Sequence, residues 1–151
     1  MKILAYNKKA FHDYTIEDTL EAGIILTGDE VKSARTGRAS LAGAFATIHR
    51  GELYLTNCSI SIYAQAYTKK ADETRQRKLL VHRRELNRLV GDISRKGLTL
   101  IPLKMYLNAD NRIKLEIGVA KHKKAHERKE EIRERDIQRQ TRRELRGKYD
   151  Y

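Results

Sequence analysis

The sequence predicts a mainly β protein: an OB-like small β-barrel over residues 1–120 with a few peripheral α-helices, and a basic C-terminal tail over residues 121–151 that becomes helical on binding. Five to seven short strand-like runs are separated by turn residues. Only one stretch among them keeps a sustained helical period, and beyond Lys121 apolar periodicity stops while charge rises. An open α+β sheet is the second arrangement that these runs allow.

In chain order, Ile3–Tyr6 is short and extended. Thr15–Leu20 reads as the opening of a helix, because Thr15 and Asp18 have the spacing of a capping box with a shorter acid, and Gly23 stands where a left-handed C-terminal residue belongs. The apolar run Ile24, Ile25, Leu26 is too short for a helix and reads as a buried strand ended by Thr27 and Gly28. A short helix over Asp29–Arg35 closes at Gly37. Ala44–His49 and Glu52–Cys58 form a hairpin across Arg50 and Gly51, with Ile60 and Ile62 extending the second arm. Residues 64–77 show no period and read as a long loop, a kind of segment that is often functional.

The strand Lys78–His82 leads into the clearest helix, Arg83–Arg95. Its Leu86, Leu89, Val90 and Ile93 fall at i, i+3, i+4 and i+7, and Lys96–Gly97 ends it. Leu98–Leu107 and Arg112–Ala120 then form a hairpin across Asn108, Asp110 and Asn111. In its second arm Ile113, Leu115, Ile117 and Val119 alternate with Arg112, Lys114 and Glu116, so one face is core and the other wet.

With 151 residues the chain has room for one hydrophobic core. Its formal net charge of +12 points to a polyanionic partner. The excess is shared: twelve Lys and Arg face seven acidic residues from Lys121 onward, and twenty face thirteen before it. A single cysteine, Cys58, allows neither an internal disulfide nor a thiolate metal cluster and reads as a buried strand residue of a reducing compartment. No apolar run reaches the length of a signal peptide or a membrane span, so the expectation is a soluble, cytoplasmic, monomeric protein without a membrane partner.

Catalysis would need a nucleophile with acid and base, or a metal cluster. The five histidines, His12, His49, His82, His122 and His126, form no ligand pattern with Cys, Asp or Glu. The nine glycines are scattered and make no phosphate loop. A pair such as His12 and His82 could in principle run ribonuclease-like acid and base chemistry, but no spacing supports it. Basic residues with interleaved aromatics are more informative: Tyr6, Lys8, Lys9, Phe11, His12 and Tyr14, then Arg75, Arg77, Lys78, Arg83 and Arg84. Cations neutralise phosphates, and exposed rings stack on unpaired bases. The reading is an RNA-binding module, not an enzyme, with no metal and no cofactor; a ribosomal or general OB-type RNA-binding protein fits the same physics.

The stretches "NKKAFHDY" (7–14), "EAGIILTGDEVKS" (21–33) with Arg35, "RKLLVHRREL" (77–86) and "GVAKHKKAHERK" (118–129) closely resemble the family of small protein B, the SsrA-binding protein, and the likeness covers nearly the whole chain. The resemblance implies an oligonucleotide-binding barrel that holds transfer-messenger RNA (tmRNA, SsrA RNA) and carries it to stalled ribosomes for trans-translation, or ribosome rescue. It further implies the small-subunit ribosomal RNA and elongation factor Tu as partners. Carried over by motif, Asn7, Glu21 and Leu80 match positions that contact the tRNA-like domain, and Lys8, His12, Lys78 and His82 lie in the same motifs.

From Lys121 to Arg146 the tail is almost entirely charged, and its apolar residues Ala125, Ile132, Ile137 and Leu145, at steps of seven, five and eight, make no core-facing stripe. Glu131 and Arg135 support a helix, whereas Glu127 with Glu131 and Glu130 with Glu134 oppose it. The expectation is a segment disordered when free that folds on an anionic surface. By the resemblance that surface is the decoding centre and the vacant message channel, met by Lys123, Lys124, His126, Glu127, Arg128 and Lys129. The chain departs from the family pattern in three places: His122 replaces a small turn residue, Glu127 stands for Asp with Arg128–Lys129 in inverted order, and residues 72–74 lack a proline.

Overall fold

The computed structural model describes residues 1–61, 73–123 and 125–149. Nine strands and four helices lie among them. Six strands form a closed ring in the order β8 (Thr99–Leu107), β4 (Phe45–His49), β5 (Glu52–Thr56), β7 (Arg77–Leu80), β2 (Tyr14–Ile24), β9 (Ile113–His122) and back to β8, all antiparallel. Closure removes the open edges of a flat sheet. β1 (Lys2–Tyr6) lies outside the ring on the C-terminal half of β8, from Lys2↔Leu107 to Tyr6↔Lys104, while β4 meets the same strand only at Ala46↔Leu100.

Inside the ring Leu20, Ala22, Leu53, Leu55, Leu79, Leu100, Met105, Leu115, Ile117 and Val119 make the core. The alternation expected in β9 holds, with Leu115 and Ile117 at 0% exposure. α3 (Arg83–Lys96) contributes Leu86 and Leu89 and ends at Gly97 in the left-handed conformation, φ 64°. The hairpin β4–β5 turns on Arg50 and Gly51, both with positive φ, the geometry of a type I′ turn.

Four expectations are corrected. Residues 15–20 are not helical but belong to the eleven-residue strand β2. Its ladder to β9 has a bulge between Ile16 and Asp18, which shifts the side-chain alternation at Glu17 and hides the period of two. Tertiary pairing along β9 overrides the local capping signal. The first helix lies earlier instead, as α1 (Lys8–Asp13), capped by Asn7. Ile24 ends β2, while Ile25 is about half exposed rather than buried.

Ile60 does not extend β5: it pairs in β6 (Ser59–Ile60) with β3 (Ala39–Ser40), a separate two-stranded sheet. Asn57 intervenes with positive φ and turns the chain away. Ile62 and residues 64–72 of the expected loop lie outside the described residues. α2 (Gly28–Arg35) agrees with expectation, and its true capping box is Thr27 with Glu30. α4 (Ala125–Tyr149) forms the tail.

Candidate nucleic-acid interface

The outer wall of β7, β2, β9 and β8 gathers most of the residues singled out in the sequence. Register explains why: Gly23 of β2 lies opposite both Leu80 of β7 and Lys114 of β9, and Glu21 lies opposite Glu116. Glu21, Gly23, Leu80, Val81, His82 and Lys114 therefore line one open cleft of about 300 Å³. Leu80 is 52% exposed, although the neighbouring Leu79 is sealed in the core. Gly23 makes room for it, since a Cβ there would meet the Leu80 Cβ at 3.3 Å. Lys114, which the sequence marked only as a wet-face residue, completes this cleft and carries its cation.

Glu21 is not a free anion in the cleft: the Tyr106 hydroxyl donates to it. Burial, and then the Glu21 carboxylate, hold that hydroxyl protonated well above its ordinary range. Beside it Lys104 pairs with Glu116 at 3.2 Å and lies 5.7 Å from the centre of the Tyr106 ring. Glu21 thus has a fixed acceptor geometry, set by three strands. Lys78, on the outer side of β7, faces Glu52 at 3.6 Å with both side chains about 40% exposed, a contact loose enough to exchange for a phosphate.

At the other end of the wall sits α1. Ala10 packs on Ile101, Leu103 and Ala120, a small second core on the outside of the barrel. Gly118 lets Leu103 lie flat there, because a Cβ at that position would approach Leu103 within 3.1 Å. Asn7 is only 6% exposed. Its Oδ1 accepts from the Ala10 amide at 3.3 Å and its Nδ2 donates to the Pro102 carbonyl at 2.9 Å, so it caps α1 and ties it to β8. It positions Lys8 and Lys9, which are exposed, and the half-buried His12, whose Nδ1 lies 3.0 Å from Asp13. Tyr6 and Phe11 stack on each other in the open, whereas Tyr14 is met edge-on by His122.

Two of the cations expected at phosphate are held by partners within the protein. Arg77 has 0% side-chain exposure and donates to Glu30 and to the carbonyls of Cys58, Arg75 and Glu73. Arg75 also binds Glu30. Burial pushes the Glu30 carboxyl up, but Arg75, the Thr27 amide and Arg77 outweigh it and hold it below its ordinary value. The second is Lys123: it is 8% exposed and its ammonium donates to the Phe11 carbonyl at 3.1 Å.

In the tail the exposed Lys129 lies on α4, as do His126, Glu127 and Arg128, while Lys124 lies outside the described residues. Cys58 is fully buried, and burial pushes its thiol up to about 11. Among the described residues no cluster of His, Cys, Asp or Glu is arranged to hold a metal ion, and no helix is long and apolar enough to cross a membrane.

A closed barrel with cations, an exposed leucine and open aromatic faces on one wall, continued by a basic helix, defines an OB-like RNA-binding protein. The SmpB protein family model matches residues 4–147, and the chain belongs to that family. It is 49% identical to the SsrA-binding protein of Coprothermobacter proteolyticus over 152 residues, covering all of both chains. To that of Symbiobacterium thermophilum it is 46% identical, over 97% of this chain and 93% of the relative. A solved structure described as "tmRNA-SmpB: a journey to the center of the bacterial ribosome" superposes with a TM-score of 0.65 and 48% identity, over 80% of this chain and 84% of the other.

Proposed function

We propose that the chain binds the tRNA-like part of SsrA RNA through the outer wall of its barrel and delivers it to stalled ribosomes for trans-translation. The observation that carries this reading is the cleft in which Glu21, Leu80, His82 and Lys114 converge. An exposed leucine flanked by a fixed acceptor, an imidazole and an ammonium offers an apolar platform for an unstacked base with polar groups for its edges and phosphate. Lys8, His12 and Lys78 extend the cationic track, and Asn7 acts through the helix it caps.

The tail is the second contact. His126, Glu127, Arg128 and Lys129 in the first turns of α4, together with Lys124, meet the decoding centre and the message channel of the small subunit. His126 stacks on a base and the cations meet phosphates. Message in the channel would exclude the helix, so the tail senses its absence. The helical state is the bound state, and the free tail is disordered, because α4 exposes Ile132 and Ile137 and has no apolar stripe to dock on the barrel. The protein acts as a monomer in the cytoplasm, with elongation factor Tu on the charged RNA, and performs no chemistry itself: His82 lines the cleft while His12 pairs with Asp13 on α1.

Truncation after Lys123 tests this division. Affinity for the tRNA-like RNA should stay within about twofold while peptide tagging on stalled ribosomes is lost. Equal affinity of the full chain for unrelated structured RNAs would instead mark a general RNA-binding protein, and cleavage of labelled RNA would mark a ribonuclease.

A further inference from the structure

Where the barrel ends and the tail begins, three contacts converge on α1. The Lys123 amide donates to the Asp13 carbonyl at 2.9 Å, and its ammonium reaches back to the Phe11 carbonyl at 3.1 Å. His122 pairs with Tyr14 in the β2–β9 ladder, meets its ring edge-on with centres 4.9 Å apart, and donates from Nδ1 to the Lys123 carbonyl at 3.0 Å. α1 is a short helix, so the carbonyls of its last turn lack intrahelical partners, and a cation there both satisfies one and complements the partial negative charge. Lys123 is buried while doing so. A lysine that spends its ammonium on a backbone carbonyl of its own barrel is not presenting it to phosphate.

We propose that Lys123 is a positioning residue that staples the root of the tail to α1, so that the helix bearing Lys8, Lys9 and His12 and the direction in which the tail leaves the barrel are set together. His122, larger than the small residue the family pattern has there, is part of the staple: its ring fills the space against Tyr14 and removes freedom from the connection. RNA seated on α1 and the tail are then held in one frame, whichever state the tail beyond residue 124 adopts. The inference deepens the proposed function, yet its first measurement does not depend on it.

Spin labels at Lys96→Cys on α3 and Ala125→Cys, two residues past Lys123, report the distance between the barrel and the root of the tail in the free full-length chain; Cys58, fully buried, takes no label. Lys123→Met, which keeps the apolar stem and removes the donor, should broaden the distance distribution at least twofold, with Lys123→Arg restoring part of its sharpness. An unchanged distribution in Lys123→Met, with a native melting profile, overturns the inference. Binding to the tRNA-like RNA and to stalled ribosomes is then measured against salt. A phosphate contact would lower the slope of log affinity against log salt by about 0.7–0.9 on removal. Positioning predicts an unchanged slope for both partners with tagging reduced at least fivefold, and a lost unit of slope also overturns it. Failure of the wild-type chain to bind the RNA at all would refute the proposed function and leave the distance result standing.

Discussion

Replacing Glu30 by Gln should destabilise the barrel far more than the loss of one carboxylate from a surface. Glu30 has 12% side-chain exposure, and of its two guanidinium partners Arg77 has 0%. Without the carboxylate Arg77 keeps three carbonyl acceptors, on Cys58, Arg75 and Glu73, but its charge has no counter-ion. Breaking one partner of a buried pair costs about 3–5 kcal/mol, because a charge is left desolvated. At ~2–4 °C per kcal/mol for a chain of this size, the expected drop in melting temperature is about 6–20 °C.

The pH dependence has a definite sign. The folded-state carboxyl titrates below its ordinary value of 4.5, so its contribution is fully present above that value and is lost as pH falls through the lowered one. Thermal melts by circular dichroism should therefore show a constant gap between wild type and Glu30→Gln from neutrality down to about pH 5, closing below it. The double variant Glu30→Leu, Arg77→Met should recover much of the loss. A single-variant drop under about 2 °C at pH 7 would refute the reasoning, since it would mean that the carbonyls alone satisfy Arg77.

Gly118→Ala should cost about 1–3 kcal/mol by urea denaturation, because the new methyl meets Leu103 within 3.1 Å, and Leu103→Ala should relieve it at its own cost in packing. Leu80→Ala should leave the melting temperature within about 3 °C, since half of the side chain is already in water, while affinity for the tRNA-like RNA falls about tenfold in a filter-binding titration. Cys58 should resist a maleimide at pH 8 in the folded protein and react fully in denaturant, because its thiol is buried and raised to about 11.

Much of the barrel was legible because hairpins announce themselves locally. Arg50–Gly51 and Asn108–Asn111 separate runs with the right alternation, and the amphipathic face of α3 is unambiguous at Leu86 and Leu89. β2 was not legible, for two reasons that act together. Its bulge at Glu17 breaks the alternation, and its outer face is so polar that Thr15 and Asp18 mimic a helix start. α1 was missed because one buried residue, Ala10, is its core contact signal, and Asn7, read as an RNA contact, gave no local sign that it also caps a helix. For the candidate interface, the sequence supplied the residues but not their neighbourhood. Glu21 and Leu80 are almost sixty positions apart and meet only through Gly23, and Lys114 joins them through the same register. Glu30 with Arg77, and Lys123 with Phe11, are likewise long-range pairs, so cations that looked available for phosphate were already engaged.

The ring is stitched unevenly. β2 and β9 share nine register pairs and β8 and β9 share eight, but β4 and β8 share the single pair Ala46↔Leu100, and an open groove of about 500 Å³ between β4, β8 and α3 runs along that joint. Such a barrel behaves as a clasp rather than a hoop: thermal opening starts where one pair holds it and stops at the long ladders. Glu21 and Lys114 stand on those ladders, and Leu80 is tied to them through Gly23, one of the two pairs that join β7 to β2, so the protein can breathe through its clasp while the wall proposed to meet RNA keeps its β2–β9 frame.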